Sequence, residues 1–318
     1  MKTVSKNIII KGVGIHSGAP VTMTIKPSKK AGIFFKRTDL PGADLIPATY
    51  DNVGATNLRN TTIGDVRGAH VQTIEHIMAA LFIAGIDSAI IEINGPETPI
   101  LDGSAKKFLE RIYMSVDKIS KVAKKIIIKK EIIAKQSELI RKLPVISRIK
   151  LWFYNLLTGR KNDGFVRLYP DSRGLDIKAT LVYKEPIIGT QSYEFLFDYT
   201  DAARKAFMRD IAAARTFGKI SEWEWLKKRG MARGCNETNV IALNMDCTAA
   251  ANPAPYGLYW PDEFVRHKIT DLIGDMYTSG GQIIGGVESF KGSHALNNLV
   301  LKKLFSNPNN YEIIINKK

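Results

Sequence analysis

The stretch on which the fold turns is Thr73-Ile74-Glu75-His76-Ile77-Met78-Ala79-Ala80-Leu81-Phe82-Ile83-Ala84-Gly85, followed closely by Ala89-Ile90-Ile91-Glu92-Ile93. In the first part Ile74, Ile77, Met78, Leu81 and Phe82 recur on one side at the 3.6-residue period and Gly85 supplies a stop, so residues 73–84 are predicted helical. The second part is rich in β-branched residues, ends at the Gly95-Pro96 break and predicts a strand. A further helix is predicted over 104–114. Upstream, runs at 8–15, 21–25 and 33–36 are separated by Gly/Pro/Ser punctuation and read as a β-meander.

The second half repeats this order. Strands are predicted at 122–134, 165–169, 175–183 and 192–196, then helices at 200–214 and 261–279, a strand at 282–290, a helix at 293–305 and a strand at 311–315. The expected fold is therefore α+β, with two domains of related topology, residues 1–117 and 122–318, joined near residues 115 to 121. Each places a sheet layer on helices, and a helix of each faces the other. A chain of 318 residues, 45% hydrophobic and 24% charged, suits two globular domains. No apolar stretch approaches the roughly 18 residues that span a bilayer, and the N-terminus has no signal-peptide core. A cytoplasmic protein is expected. Cys235 and Cys247 are spaced like neither a redox pair nor a zinc knuckle, so any metal must rest on His, Asp or Glu.

Against 31 Asp plus Glu stand 46 Lys plus Arg, a formal charge of +15. Such an excess raises nucleic acid, an anionic membrane or a phosphorylated substrate as partners. Its distribution is uneven. Residues 121–161 hold twelve Lys or Arg and two Glu, a local +10, leaving +5 for the other 277 residues. Within that region, residues 136–163 interrupt two predicted strands like an insertion. From Pro144 on, Ile146, Ile149, Trp152, Phe153, Leu156 and Leu157 recur at helical spacing between Ser147, Arg148, Lys150 and Asn155, a basic amphipathic helix with an aromatic centre.

Five histidines carry the candidate chemistry. His267 and Asp271 are four apart on a predicted helix, so their side chains could chelate one cation or form a solvated polar pair. Glu75-His76 lies at the expected exposed end of the opening helix. Adjacent helical residues differ by about 100°, so one could bind a metal while the other reaches the reacting water, or both could simply face solvent. His294 follows Ser293, a plausible N-cap. There the macrodipole lowers proton affinity unless a carboxylate compensates, and Asp275, one turn beyond Asp271, could be that carboxylate. His70 lies in a turn-rich stretch and receives no role.

Several fragments, in this order, resemble a bacterial family, the UDP-3-O-acyl-N-acetylglucosamine deacetylases, zinc hydrolases of lipid A biosynthesis. They are Gly12-Val13-Gly14-Ile15-His16-Ser17-Gly18, Thr73 through His76, Gly95 through Ala105, Ala214-Arg215-Thr216-Phe217-Gly218, Asp262 through Asp271, and Gly292 through Asn298. The resemblance covers residues 4 to 305 apart from the insertion. It implies a site between the two domains. His76, His267 and Asp271 would hold Zn²⁺, with Fe²⁺ as the alternative, and water would occupy the fourth position. Glu75 would be the general base. Thr216 would help hold the oxyanion, His294 oriented by Asp275 would serve the leaving amine, and Lys268 would meet substrate polar groups.

The same resemblance puts Tyr183 against the uracil and Phe217 among the substrate contacts, and assigns 219–258 to an apolar acyl passage that Met231, Val240, Ile241 and Leu243 could line. Gly292-Ser293, Lys219 and Asn60 depart from the family pattern without removing a ligand or the base. The implied partner is an acylated UDP-GlcNAc, with no nucleic acid, and a monomer is expected. A nucleotide-sugar or nucleic-acid binder that kept this fold without catalysis is the competing reading, motivated by the basic segment alone. Residues 136–163, with 138–161 as the part able to meet a surface, have no family counterpart. They read either as a peripheral anchor on the anionic inner membrane, with Trp152 and Phe153 inserted and Arg148, Lys150, Arg160 and Lys161 at headgroups, or as a flap packed on the second domain or a partner chain.

Overall fold

The computed structural model describes residues 2–54, 59–115, 124–158, 161–253 and 257–315, the side chains of 154 and 156–158 aside. The expected junction lies outside these from residue 116 onward, as does Arg160. The first half runs β1 (Ile8–Val13), β2 (Pro20–Pro27), β3 (Gly32–Arg37), three two-residue strands β4 (Ile46–Pro47), β5 (Ile63–Gly64) and β6 (His70–Val71), α1 (Glu75–Ala84), β7 (Ser88–Ile93) and α2 (Lys106–Tyr113). Its main sheet has the order β1-β2-β7-β3-β4. The meander expectation therefore fails after β2. Strand β7, Ala/Ile-rich and largely buried, takes the central place, antiparallel to β2 and parallel to β3. A parallel neighbour requires a crossover, and α1 lies within it.

The second half begins with β8 (Lys124–Ile128) and β9 (Ile132–Lys135), which divide one predicted run, followed by α3 (Gln136–Arg141) and α4 (Val145–Thr158). Next come β10 (Phe165–Tyr169), β11 (Leu175–Val182), β12 (Thr190–Phe197), α5 (Asp201–Asp210), β13 (Phe217–Lys219), α6 (Ile220–Lys227) and β14 (Ile241–Leu243). The half closes with α7 (Glu263–Tyr277), β15 (Gln282–Phe290), α8 (His294–Phe305) and β16 (Tyr311–Ile315). Here β15 repeats the placement of β7, lying between β10 and β11, antiparallel to the first and parallel to the second. Strand β8 pairs with β15, and β16 with β8. The architecture is α+β in two related halves, each with a late central strand followed by a helix.

The halves meet through α1 and α7. No residue of α1 is more than 4% exposed, Glu75 and His76 included, so the expectation that this pair sits at an exposed helix end is corrected. The physical reason lies in the sequence of α1 itself. Ala79, Ala80 and Ile83 continue the apolar surface around the helix, and a helix apolar all round is buried. Close approach depends on Gly274, where a Cβ would fall 2.0 Å from the Glu75 carbonyl oxygen. Glycine costs a helix interior about 1 kcal/mol relative to alanine, and here it lets the two backbones nearly touch.

Candidate functional site

The first turn of α1 and the middle of α7 bring His76, His267 and Asp271 together, with one ligand atom of each within 4.8 Å of the others. Both imidazoles present Nε2 to Asp271 Oδ1, each at 3.4 Å. His267 Nδ1 lies 3.1 Å from the Ala214 carbonyl, which can only accept, so Nδ1 carries the proton and Nε2 keeps its lone pair. Burial, only partly opposed by the Asp271 charge, drives the His267 pKa down to about 3. Asp271 Oδ1 is buried without a hydrogen-bond partner among the described residues. Its carboxyl stays well below the usual range because His267 and Lys268 overcome its burial. The lone pair on His267 Nε2, the His76 imidazole and a carboxylate thus converge in a buried site. Such an arrangement is repulsive alone and fits a divalent cation with nitrogen and oxygen ligands.

Glu75 adjoins this trio in sequence. Its Oε2 accepts the Thr61 backbone N–H at 3.0 Å, and burial raises its pKa against the opposing His294 and His76 charges. His294, at the first position of α8 after the Ser293 cap, has Nδ1 2.7 Å from Asp275 Oδ2. Burial disfavours its charge, yet Asp275 outweighs that and lifts the pKa to about 9. The macrodipole objection is therefore answered by the carboxylate one turn beyond Asp271. Asp275 itself is held by the Thr61 hydroxyl (2.5 Å to Oδ1) and the Asn297 amide (2.7 Å to Oδ2). Thr61 consequently touches both the glutamate and the carboxylate behind the imidazole.

Lys268 donates to Asp271 Oδ2 at 2.8 Å, and its pKa is raised because Asp271 overcomes the cost of burial. Its Nζ stands 5.5 Å from the Phe217 ring centroid. Phe217 also meets Phe264 edge-on at 5.0 Å and Tyr183 at 6.0 Å, while Tyr183 is 40% exposed. A cleft lined by Leu181, Lys268, Asp271, Ser293, His294 and Asn297 opens beside this group. Thr216 is half-buried two residues after Ala214, with its backbone N–H on Gly103 and its carbonyl taking Ile241 N–H. The segment leading into β13 is tied to α7 by the fully buried Arg215, whose guanidinium and backbone N–H both meet the Glu263 carboxylate.

Elsewhere the placements differ from expectation. Ile241 and Leu243 are buried in the main core and Val240 packs with Ile15 and Ile100, so of the four proposed passage residues Met231 alone keeps partial exposure. His70 is instead the first residue of β6, near the Gly68 carbonyl and Gln72. Thr61, Asn297 and Gly274 were missed. Thr61 lies in a stretch without periodicity and meets partners 14 and 214 positions away, so nothing local marks it.

The family model of UDP-3-O-acyl N-acetylglycosamine deacetylase matches residues 1–306. A UDP-3-O-acyl-N-acetylglucosamine deacetylase of Myxococcus xanthus is 38% identical over 314 residues, covering 98% of this chain and 88% of the relative. One of Neisseria meningitidis serogroup A is 37% identical over 316 residues, covering 98% and 92%. With buried metal-ligand geometry and a near-full-length match to the same sequences, this chain belongs to the UDP-3-O-acyl-N-acetylglucosamine deacetylase family.

Proposed function

We propose that the chain hydrolyses the acetamide of a UDP-3-O-acyl-N-acetylglucosamine, releasing acetate and a sugar amine, a step of lipid A biosynthesis. The observation that carries the reading is the convergence of His76, His267 and Asp271 next to Glu75 and a charged, carboxylate-bound His294. Two imidazoles and one carboxylate suit Zn²⁺, with Fe²⁺ the alternative. Held by these three residues, such an ion would supply Lewis acidity at the scissile carbonyl and would lower the pKa of the attacking water toward neutral.

The remaining work falls to side chains. Glu75 accepts the proton of the attacking water, and its raised pKa makes it a stronger base for that proton than an ordinary carboxylate. Thr216 donates a hydrogen bond from its hydroxyl to the developing oxyanion, while Lys268 adds fixed positive charge beside Asp271. An amine leaves poorly unless protonated, and His294 supplies that proton from Nε2 while Asp275 holds Nδ1. Tyr183 and Phe217 form an edge-on aromatic pair against which a uracil ring can stack. The two cysteines are free thiols, in keeping with a reducing cytoplasm, and the enzyme acts there as a monomer in peripheral contact with the inner membrane.

Metal content and turnover of an acylated UDP-GlcNAc, compared between wild type and Glu75→Ala, test the reading. The variant should keep its metal and lose about 10²–10⁴-fold in kcat, and a chelator should silence the wild type. Undiminished turnover by Glu75→Ala overturns the assignment of the base.

A further inference from the structure

The amphipathic insertion does not pack on the second half. Val145, Ile146, Ile149, Trp152 and Phe153 are between 50% and 69% exposed, and no described residue of α4 is buried. At about 100° per residue these five span an arc of roughly 120° on the helix, and Arg148 and Lys150 lie on its opposite shoulders. The Trp152 and Phe153 rings meet edge-on at 4.9 Å, a single aromatic wedge within the arc. Arg141 and Lys142, exposed just upstream, extend the basic border.

The root of the insertion is fixed. Gln136 N–H donates to the Gly164 carbonyl at 2.8 Å, closing its two ends together. Lys291 donates to Asp163 at 2.7 Å, three residues before His294, and Lys303 of α8 grips Glu138 at 2.9 Å. Helix α4 thus projects from the edge of the fold that also carries the Asp275-bound imidazole.

We propose that α4 docks the enzyme on an anionic lipid bilayer, with its aromatic arc in the interface and its basic shoulders at the headgroups. Apolar face and flanking cations together match the chemistry of such a surface. A second copy of this chain would set four basic shoulders against one another around the paired apolar faces, on molecules each carrying +15. A nucleic acid would neutralise the shoulders and leave the arc in water. Of these three, the bilayer satisfies both. The purpose rests on the proposed deacetylation of an acylated substrate, since docking beside His294 brings the site to where acyl chains partition, but the binding itself does not.

Full-length protein is sedimented with phosphatidylcholine vesicles with and without about 30% phosphatidylglycerol, a fraction chosen to approach an anionic leaflet. Wild type should bind the anionic vesicles at least tenfold better than the neutral ones. Both Trp152→Ser/Phe153→Ser and Arg148→Glu/Lys150→Glu should lose that binding tenfold or more while turning over a short-chain substrate as wild type does. Vesicle binding unchanged in both variants overturns the proposal, as does absence of binding by a catalytically active wild type. A concentration-dependent dimer abolished by Trp152→Ser/Phe153→Ser, without vesicle binding, assigns the face to a second copy and also overturns it. Loss of turnover in Glu75→Ala with vesicle binding intact separates the two readings.

Discussion

Helices α1 and α4 are both built largely from Ile, Leu, Met, Trp and Phe, yet α1 is sealed on every side and α4 lies open to solvent. The difference is in what accompanies the apolar residues. Apart from Glu75 and His76, α1 has no ionisable side chain, and those two face groups that compensate them. By contrast α4 carries Arg148 and Lys150 at the margins of its apolar arc, where burial would strand both cations. Hydrophobic content alone does not decide which helix enters a core. The placement of the few charges does, and it marks one helix for a catalytic interior and the other for an interface.

The largest effect expected from breaking this contrast is on the sealed side. Phe82 is 1% exposed and packs against Phe197, Tyr199 and Tyr277 from the second half. Truncation by Phe82→Ala should cost about 3–5 kcal/mol, the range for a buried aromatic, read as a lowered denaturant midpoint at unchanged slope. A cost below about 1 kcal/mol would show that α1 is not the joint between the halves.

Next comes the charge balance inside the site. With the His294 pKa lifted to about 9, the protonated imidazole persists through neutral pH, and kcat/KM should fall as pH rises through that value. The acidic limb, set by Glu75, should lie above the ordinary carboxylate range. In Asp275→Asn the chief cause of the upward shift is gone while burial remains, so the basic limb should drop by about 1–3 pH units. Thr61→Val should move the same limb less, because it removes one hydrogen bond to Asp275 and leaves the carboxylate in place. A basic limb that stays near 9 in both variants removes His294 as the group it reports. The same pair contributes to stability below about pH 6.5 and loses that contribution as pH climbs through about 9, the direction for a histidine whose folded pKa is raised.

A smaller effect is expected at the contact itself. Gly274→Ala inserts a methyl against the Glu75 carbonyl, and backbone cannot yield as a side-chain tip can. Overpacking of this kind costs about 1–3 kcal/mol, partly offset by alanine's better helix propensity. Metal affinity should fall with it, since the same shift parts His76 from His267 and Asp271, and calorimetric titration of the apoprotein would show it. An unchanged midpoint and unchanged affinity would mean that the helices approach less closely than 2.0 Å from that Cβ position implies.

Much of this contrast is legible along the chain, though unevenly. The 3.6-residue period reveals α1 and α4, and the spacing of His267, Asp271 and Asp275 puts all three on one face of α7. Strand order is not legible, because Ile-rich strands such as β7 and β15 pair across the sheet with segments fifty or more positions away. The burial of Glu75 and His76 is hidden for a related reason. It depends on a glycine in the other half, and a single glycine inside a helical pattern does not disclose what it approaches. Thr61 is the extreme case, a lone hydroxyl in an irregular segment whose meaning exists only once α1, α7 and α8 have assembled around it.

The open side of the contrast supplies the smallest expected change. Trp152→Ala and Phe153→Ala remove as much apolar surface as Phe82→Ala does, but that surface already faces water in the folded chain. Stability depends on the difference in exposure between folded and unfolded states, so little is lost by truncating a ring that is 60% or 53% exposed. Each variant should lie within about 0.5 kcal/mol of wild type in denaturant, the ordinary range for surface positions. A loss of several kcal/mol would instead show that α4 folds back on its own chain in solution and has no face left to offer a membrane. The same side chain, phenylalanine, at positions 82 and 153 thus separates an aromatic that holds the molecule together from one kept for a surface outside it.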